Sequence, residues 1–339
     1  MQSNRDKNLN WAASGHIAKA DLQGALVQGK AEPDLNEWLA FCKLSLLWLA
    51  AICCCSAAIF FFAYNWQYIP RLYKFALLEV SMLVVAASYL IVARQAISRT
   101  VLLMVFSLLT GALLALVGQT YQTGADPWQL FAYWGLFIFP WVVVARASAL
   151  WIFWVALLNL ATVLYLSISI DIFSLFSTQG LAVAMLFSLN FVLLAIFELL
   201  SFQPVKTYLG LTFSLSNNRY SQQFLACATG YYAAHMAIYS LLESDAEAYL
   251  LLFYGGWLAI SLLLYRWVIK DLLMLAITAL SFIAVSTFFV SYLLFEFLDI
   301  GFLLVAGLYT VGVSAFCFSW LKKTAAHFES SAITAGEQA

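Results

Sequence analysis

Three groups of residues in this 339-residue chain have side chains and spacing suited to chemistry. The first is Gly118 to Trp128, Gly-Gln-Thr-Tyr-Gln-Thr-Gly-Ala-Asp-Pro-Trp, an island of amides, hydroxyls, one carboxylate and one indole between two long apolar runs. The second is a polar stretch holding Asn65, Trp66, Arg71 and Lys74, followed by Glu79 inside an apolar run. The third is Tyr231, His235 and Tyr239, whose i, i+4, i+8 spacing puts all three on one face of a helix. Asn65, Trp66, Arg71, Lys74 and Glu79, together with Gln119, Tyr121, Gln122, Asp126 and Trp128, make a candidate outer-face binding cluster for an anionic or zwitterionic group, held by charge and hydrogen bonds. Glu79 or His235, held among helices away from water, would be able to couple proton movement to that binding, with Asn159 or Asn190 as neighbours.

Each group also has a structural reading. Trp66, Tyr68, Tyr121 and Trp128 suit an aromatic belt at a membrane interface, and Asp126-Pro127 suits the capped start of a helix. His235 in neutral form can hydrogen-bond between helices, since such polar contacts hold membrane bundles together. Glu198 lies near the end of an apolar run, where a long side chain can reach the interface, and reads as structural. His16 sits in a surface turn, where a lone imidazole is simply solvated.

Several function classes lack support. Cys53, Cys54 and Cys55 are consecutive and so point about 100° apart on a helix, and Cys42, Cys227 and Cys317 are dispersed. No disulfide framework or converging metal-ligand set follows, and the chain has only three histidines. There is no nucleophile elbow, phosphate-binding glycine loop or His-Glu-x-x-His helix, so no catalytic residue, metal or cofactor is expected. A formal net charge of -1 gives no global attraction to nucleic acid.

The elements that must position these groups are membrane helices. The chain is 64% hydrophobic and 10% charged, with a mean hydropathy of +0.91, far from the roughly 25% charged composition of a soluble domain. Ten apolar runs are each long enough to cross a bilayer: Leu44 to Tyr64, Phe75 to Val92, Thr100 to Val117, Gln129 to Ala145, Ala149 to Ser169, Gly180 to Leu200, Phe224 to Leu242, Ala248 to Tyr265, Leu272 to Phe295 and Gly301 to Leu321. The runs are continuous rather than alternating, which favours helices over barrel strands. With the amino terminus inside, fourteen Lys and Arg residues fall on the inner side and only Arg71 and Lys74 on the outer. The positive-inside rule then places both termini in the cytoplasm and, in a bacterium, the bundle in the inner membrane. Residues 1–40 read as a short cytoplasmic helical hairpin, 41–322 as the transmembrane domain, and 323–339 as a polar, disordered cytoplasmic tail.

Two stretches carry a family resemblance. Phe62-Ala-Tyr-Asn-Trp-Gln-Tyr-Ile-Pro70, leading into Arg71 and Lys74-Phe-Ala-Leu-Leu-Glu79, and the Gly118 to Trp128 island resemble the signature regions of bacterial predicted membrane proteins grouped as domain of unknown function 2157. The hairpin at the amino terminus also fits that family, and the resemblance covers roughly the first 170 residues. It implies a multi-pass helical architecture and carries no activity, cofactor or catalytic residue.

The expectation is therefore an all-α, polytopic membrane protein of about ten helices, in contact with membrane lipids. Two functions stay open: a small-molecule or lipid-handling carrier, which expects a wet cavity from the Gly118 loop towards His235, and a non-transporting scaffold or sensor for a membrane-protein partner, which expects a dry bundle.

Overall fold

The computed structural model of the chain describes residues 35–43, 68–92, 96–122, 124–169, 179–202, 219–242, 249–295 and 301–337, with scattered positions between 11 and 64; at 92, 96–98, 169, 179 and 329–337 only the backbone is described. It divides into two units, Met1–Tyr73 and Lys74–Ala339. In the first unit, helical backbone runs over 35–43, with Trp38 edge-on to Phe41 at 6.0 Å. His16 is exposed in a turn, its Nδ1 2.9 Å from the Ser14 hydroxyl. The amino-terminal hairpin and the expected span at 44–64 fall, apart from isolated positions, outside the described residues.

The remainder is helical: α1 (Arg71–Val92), α2 (Ala96–Tyr121), α3 (Pro127–Ala145), α4 (Ser148–Ser169), α5 (Gln179–Ser201), α6 (Tyr220–Leu242), α7 (Tyr249–Leu263), α8 (Leu272–Phe295) and α9 (Gly301–Glu337). A π-helical segment, Leu264–Val268, continues α7. Among the described residues there is no strand, as expected where apolar surroundings force the backbone to satisfy its hydrogen bonds within each segment. Eight helices, all but α6, are long and apolar enough to cross a membrane, and they coincide with eight of the ten runs read from the sequence.

The seventh of those runs is α6, less apolar than the rest and packed by one side against α4, α5, α7 and α8. Its neighbours explain its composition. Thr229 is fully buried with its hydroxyl turned back to the Leu225 carbonyl of its own helix, and Ser281 of α8 donates to the Gly230 carbonyl at 3.3 Å. Ala226, Gly230, Ala233 and Ala237 are buried small residues along the same helix. They permit close approach: a Cβ on Gly230 would stand 3.2 Å from Ile277 Cγ2.

Two ends of the bundle follow from the packing. Trp128 at the start of α3 meets Tyr165 near the end of α4, with ring centroids 5.1 Å apart. At the opposite end, Trp151 of α4 meets Phe197 of α5 at 4.8 Å and joins a core containing Leu225, Tyr265 and Leu275. Helix α9 continues through 323–337, where the sequence read a disordered tail. Thr324 is buried and Phe328 packs against the core, extending the Trp320 stripe by one and two turns.

Candidate functional site

The polar island forms a groove. Helix α2 stops at Tyr121 because Gln122 takes a left-handed conformation at φ 43°, and Gly124 follows at φ 65°. Pro127 then opens α3 as its first residue, which suits its fixed φ and missing N–H. Between the end of α2 and the start of α3 lies a groove of about 530 Å³. Leu114, Val117, Leu130 and Tyr133 give it an apolar wall, and Gln119, Gln122, Asp126 and Gln129 supply its polar groups. Asp126 occupies the N-cap position of α3 with extended backbone, φ −65° and ψ 149°, yet its side chain makes no capping hydrogen bond. The Gln129 amide bonds instead to the Asp126 backbone carbonyl at 3.0 Å. The carboxylate is therefore a groove-lining acceptor that the helix start does not occupy.

The other residues of the proposed outer cluster lie elsewhere. Tyr121 is exposed and leans on Phe75 at 6.3 Å, while Trp128 packs on Tyr165; neither lines the groove. Lys74 is half-buried and Glu79 exposed, both on α1 and both outside the lining set. Arg71 is exposed at the first position of α1, and Asn65 and Trp66 are outside the described residues.

The intramembrane stripe faces outward over most of its length. Tyr231 and His235 are exposed, with rings 6.1 Å apart, and Tyr239 is half-buried where the start of α5 comes close. A Cβ on Gly180 would stand 2.7 Å from Tyr239 Cε1. Asn159 and Asn190 pair with each other: each Nδ2 donates to the other's Oδ1, at 3.0 and 2.7 Å, and also to its own helix backbone. This reciprocal amide pair links α4 to α5 with its groups satisfied. No α6 residue lines the groove.

The opposite end holds a charge network that single-residue reading of the sequence missed. Arg219, just before α6, donates through Nη2 to Glu198 Oε1 at 2.8 Å and through Nε to Asp271 Oδ2 at 2.9 Å. Tyr265 adds its hydroxyl to Glu198 Oε1 at 3.3 Å. Asp271 also caps α8, its Oδ1 accepting from the Leu273 and Met274 amides at 3.0 and 3.3 Å. Burial works against the Arg219 charge, but the Glu198 and Asp271 carboxylates outweigh it and raise the guanidinium above its ordinary range. One arginine thus ties the end of α5 and the starts of α6 and α8 together. The available signal was positional: all three residues sit near the expected inner ends of their helices. Among the described residues no His, Cys, Asp or Glu group could hold a metal ion, and Cys42, Cys53, Cys227 and Cys317 are free thiols.

Residues 9–151 match the family model described as predicted membrane protein, domain of unknown function 2157. The match contains both motif regions and every residue lining the groove. No curated protein and no solved structure matches the chain.

Proposed function

We propose that this membrane protein handles a membrane amphiphile at the groove between α2 and α3. The supporting observation is the Asp126 carboxylate, free of any capping bond at the head of an otherwise apolar wall. A zwitterionic headgroup suits that arrangement, with its amine towards Asp126, its phosphate towards the Gln119 and Gln122 amides, and an acyl chain along Leu114, Val117 and Leu130. The groove lies at the end of the bundle that the positive-inside rule assigns to the outer face, with both termini cytoplasmic and the bundle in a bacterial inner membrane. A separate reading as a scaffold draws on α1, whose membrane span has 0% of its residues buried and so offers a whole face to a membrane-protein partner.

Gly118 provides the test. A Cβ there meets nothing within 4 Å, and the residue lines the groove, so Gly118→Leu is expected to occupy part of the groove with open space at its Cβ. Native mass spectrometry of the full chain in mild detergent is expected to show a lipid or other amphiphile on the wild type and none on Gly118→Leu. A protein partner on both, with no small molecule on either, would replace this reading with the scaffold.

A further inference from the structure

A second groove, of about 400 Å³, lies between α7, α8 and α9 at the Arg219 end of the bundle. Leu258, Leu262, Phe282 and Phe316 wall it, and among the described residues its one charged lining residue is Arg266. The π-helical segment sets that arrangement. Its wider turn directs Tyr265 inward to Glu198, while the next residue, Arg266, is exposed with its guanidinium carbon 5.4 Å from the centroid of the Trp320 ring on α9. Lys322 and Lys323 follow on α9, both exposed, and Lys270 is exposed in a left-handed turn just after the π segment. Glu198 and Asp271, the carboxylates described at this end of α5 and α8, are engaged by Arg219. Among the described residues they form no ion pair with Arg266, so a positive charge stands at the mouth of an apolar groove, and Lys323, three residues after Trp320, lies on the neighbouring side of α9.

We propose that this groove binds an anionic phospholipid, with an acyl chain against Leu258, Leu262, Phe282 and Phe316 and its phosphate at Arg266, Lys323 adding positive charge from α9. Charge complementarity selects the occupant. A zwitterionic lipid brings no net charge to Arg266, and a soluble anion leaves the apolar wall bare. The site is independent of the Asp126 groove: it is at the other end of the bundle, shares no residue with it, and takes an anionic rather than a zwitterionic headgroup.

Trp320 reports on occupancy. The chain has 12 tryptophans, so the Trp320 share is read as the difference between wild type and Trp320→Phe. The full chain is reconstituted in phosphatidylcholine vesicles containing acyl-brominated phosphatidylglycerol or acyl-brominated phosphatidylcholine, and tryptophan quenching is measured. The Trp320 share should be quenched at several-fold lower mole fraction of the anionic lipid. Arg266→Gln should reduce that preference about fivefold, and Lys323→Gln should reduce it further by a smaller factor, following the usual contribution of a basic side chain near a lipid surface. Arg266→Lys keeps the charge and should keep most of the preference, and excess inorganic phosphate should leave it unchanged. Equal quenching by both lipids in the wild type, or equal loss in Arg266→Lys and Arg266→Gln, would overturn the proposal. Displacement by inorganic phosphate would assign the groove to a soluble anion instead.

Discussion

Asp126 and Asp271 occupy the same local position at opposite ends of the bundle, each immediately before a helix, and have opposite fates. Asp271 divides its two oxygens between the first amides of α8 and the Arg219 guanidinium. Asp126 makes no capping bond and faces a groove. Residue type and position therefore do not decide what an N-cap aspartate does. A cation from just before another helix fixes one carboxylate in the architecture, while among the described residues no cation lines the groove at the other. The Arg219 network fastens α5, α6 and α8 together, and the Asp126 carboxylate is left for a headgroup.

The strongest way to break this comparison is Arg219→Ala. It strands Glu198 and Asp271, whose side chains are only 8% and 13% exposed, without their shared cation. Removing one partner of a buried pair typically costs about 3–5 kcal/mol; the Arg219 side chain is 36% exposed, which puts the expected loss near the lower bound, about 3 kcal/mol. Unfolding in mixed micelles on titration with a denaturing detergent measures it. A change below about 0.5 kcal/mol, the scale of an ordinary surface substitution, would mean that the network does not fasten these helices together. Asp271→Ala should cost less, about 2 kcal/mol, from a lost cap of about 1 kcal/mol and a partly screened ion pair of similar size. Asp271→Asn keeps a good capping side chain and should recover about half of that loss. Equal losses in the two variants would show that the cap contributes nothing beyond the charge.

These contrasts were legible in the sequence to different depths. Continuous apolar runs identify membrane helices whatever they pack against, so eight spans could be placed from hydropathy alone. The packing of α6 against four other helices could not be read that way, because it shows only in the folded chain, where one face of the helix carries Ser221, Gln222 and Thr229 into the interior. The groove was legible because Gly118 to Trp128 interrupts two apolar runs with turn-forming and polar residues. The Arg219 network was not, since its partners are 21 and 52 residues away in the chain and meet only through packing. Asn159 and Asn190 illustrate the same limit: as polar residues inside apolar runs they suggested neighbours for His235, but each found the other, 31 residues along the chain.

The sharpest form of the comparison is the smallest expected change in stability. An aspartate at an N-cap usually contributes about 1 kcal/mol through its hydrogen bond to the helix amides. Asp126 has no such bond to lose, and Pro127 keeps the start of α3 pre-organised, so Asp126→Ala should change unfolding free energy by no more than about 0.3 kcal/mol. The same detergent titration reads it beside Asp271→Ala. In parallel, Asp126→Ala should weaken retention of an amine-bearing amphiphile on the purified chain, an effect with no counterpart at Asp271. If Asp126→Ala instead destabilises by a full N-cap's worth, the carboxylate works for α3 just as Asp271 works for α8. The two ends would then differ in their partners but not in kind, and the case for a headgroup at Asp126 would fail with the comparison.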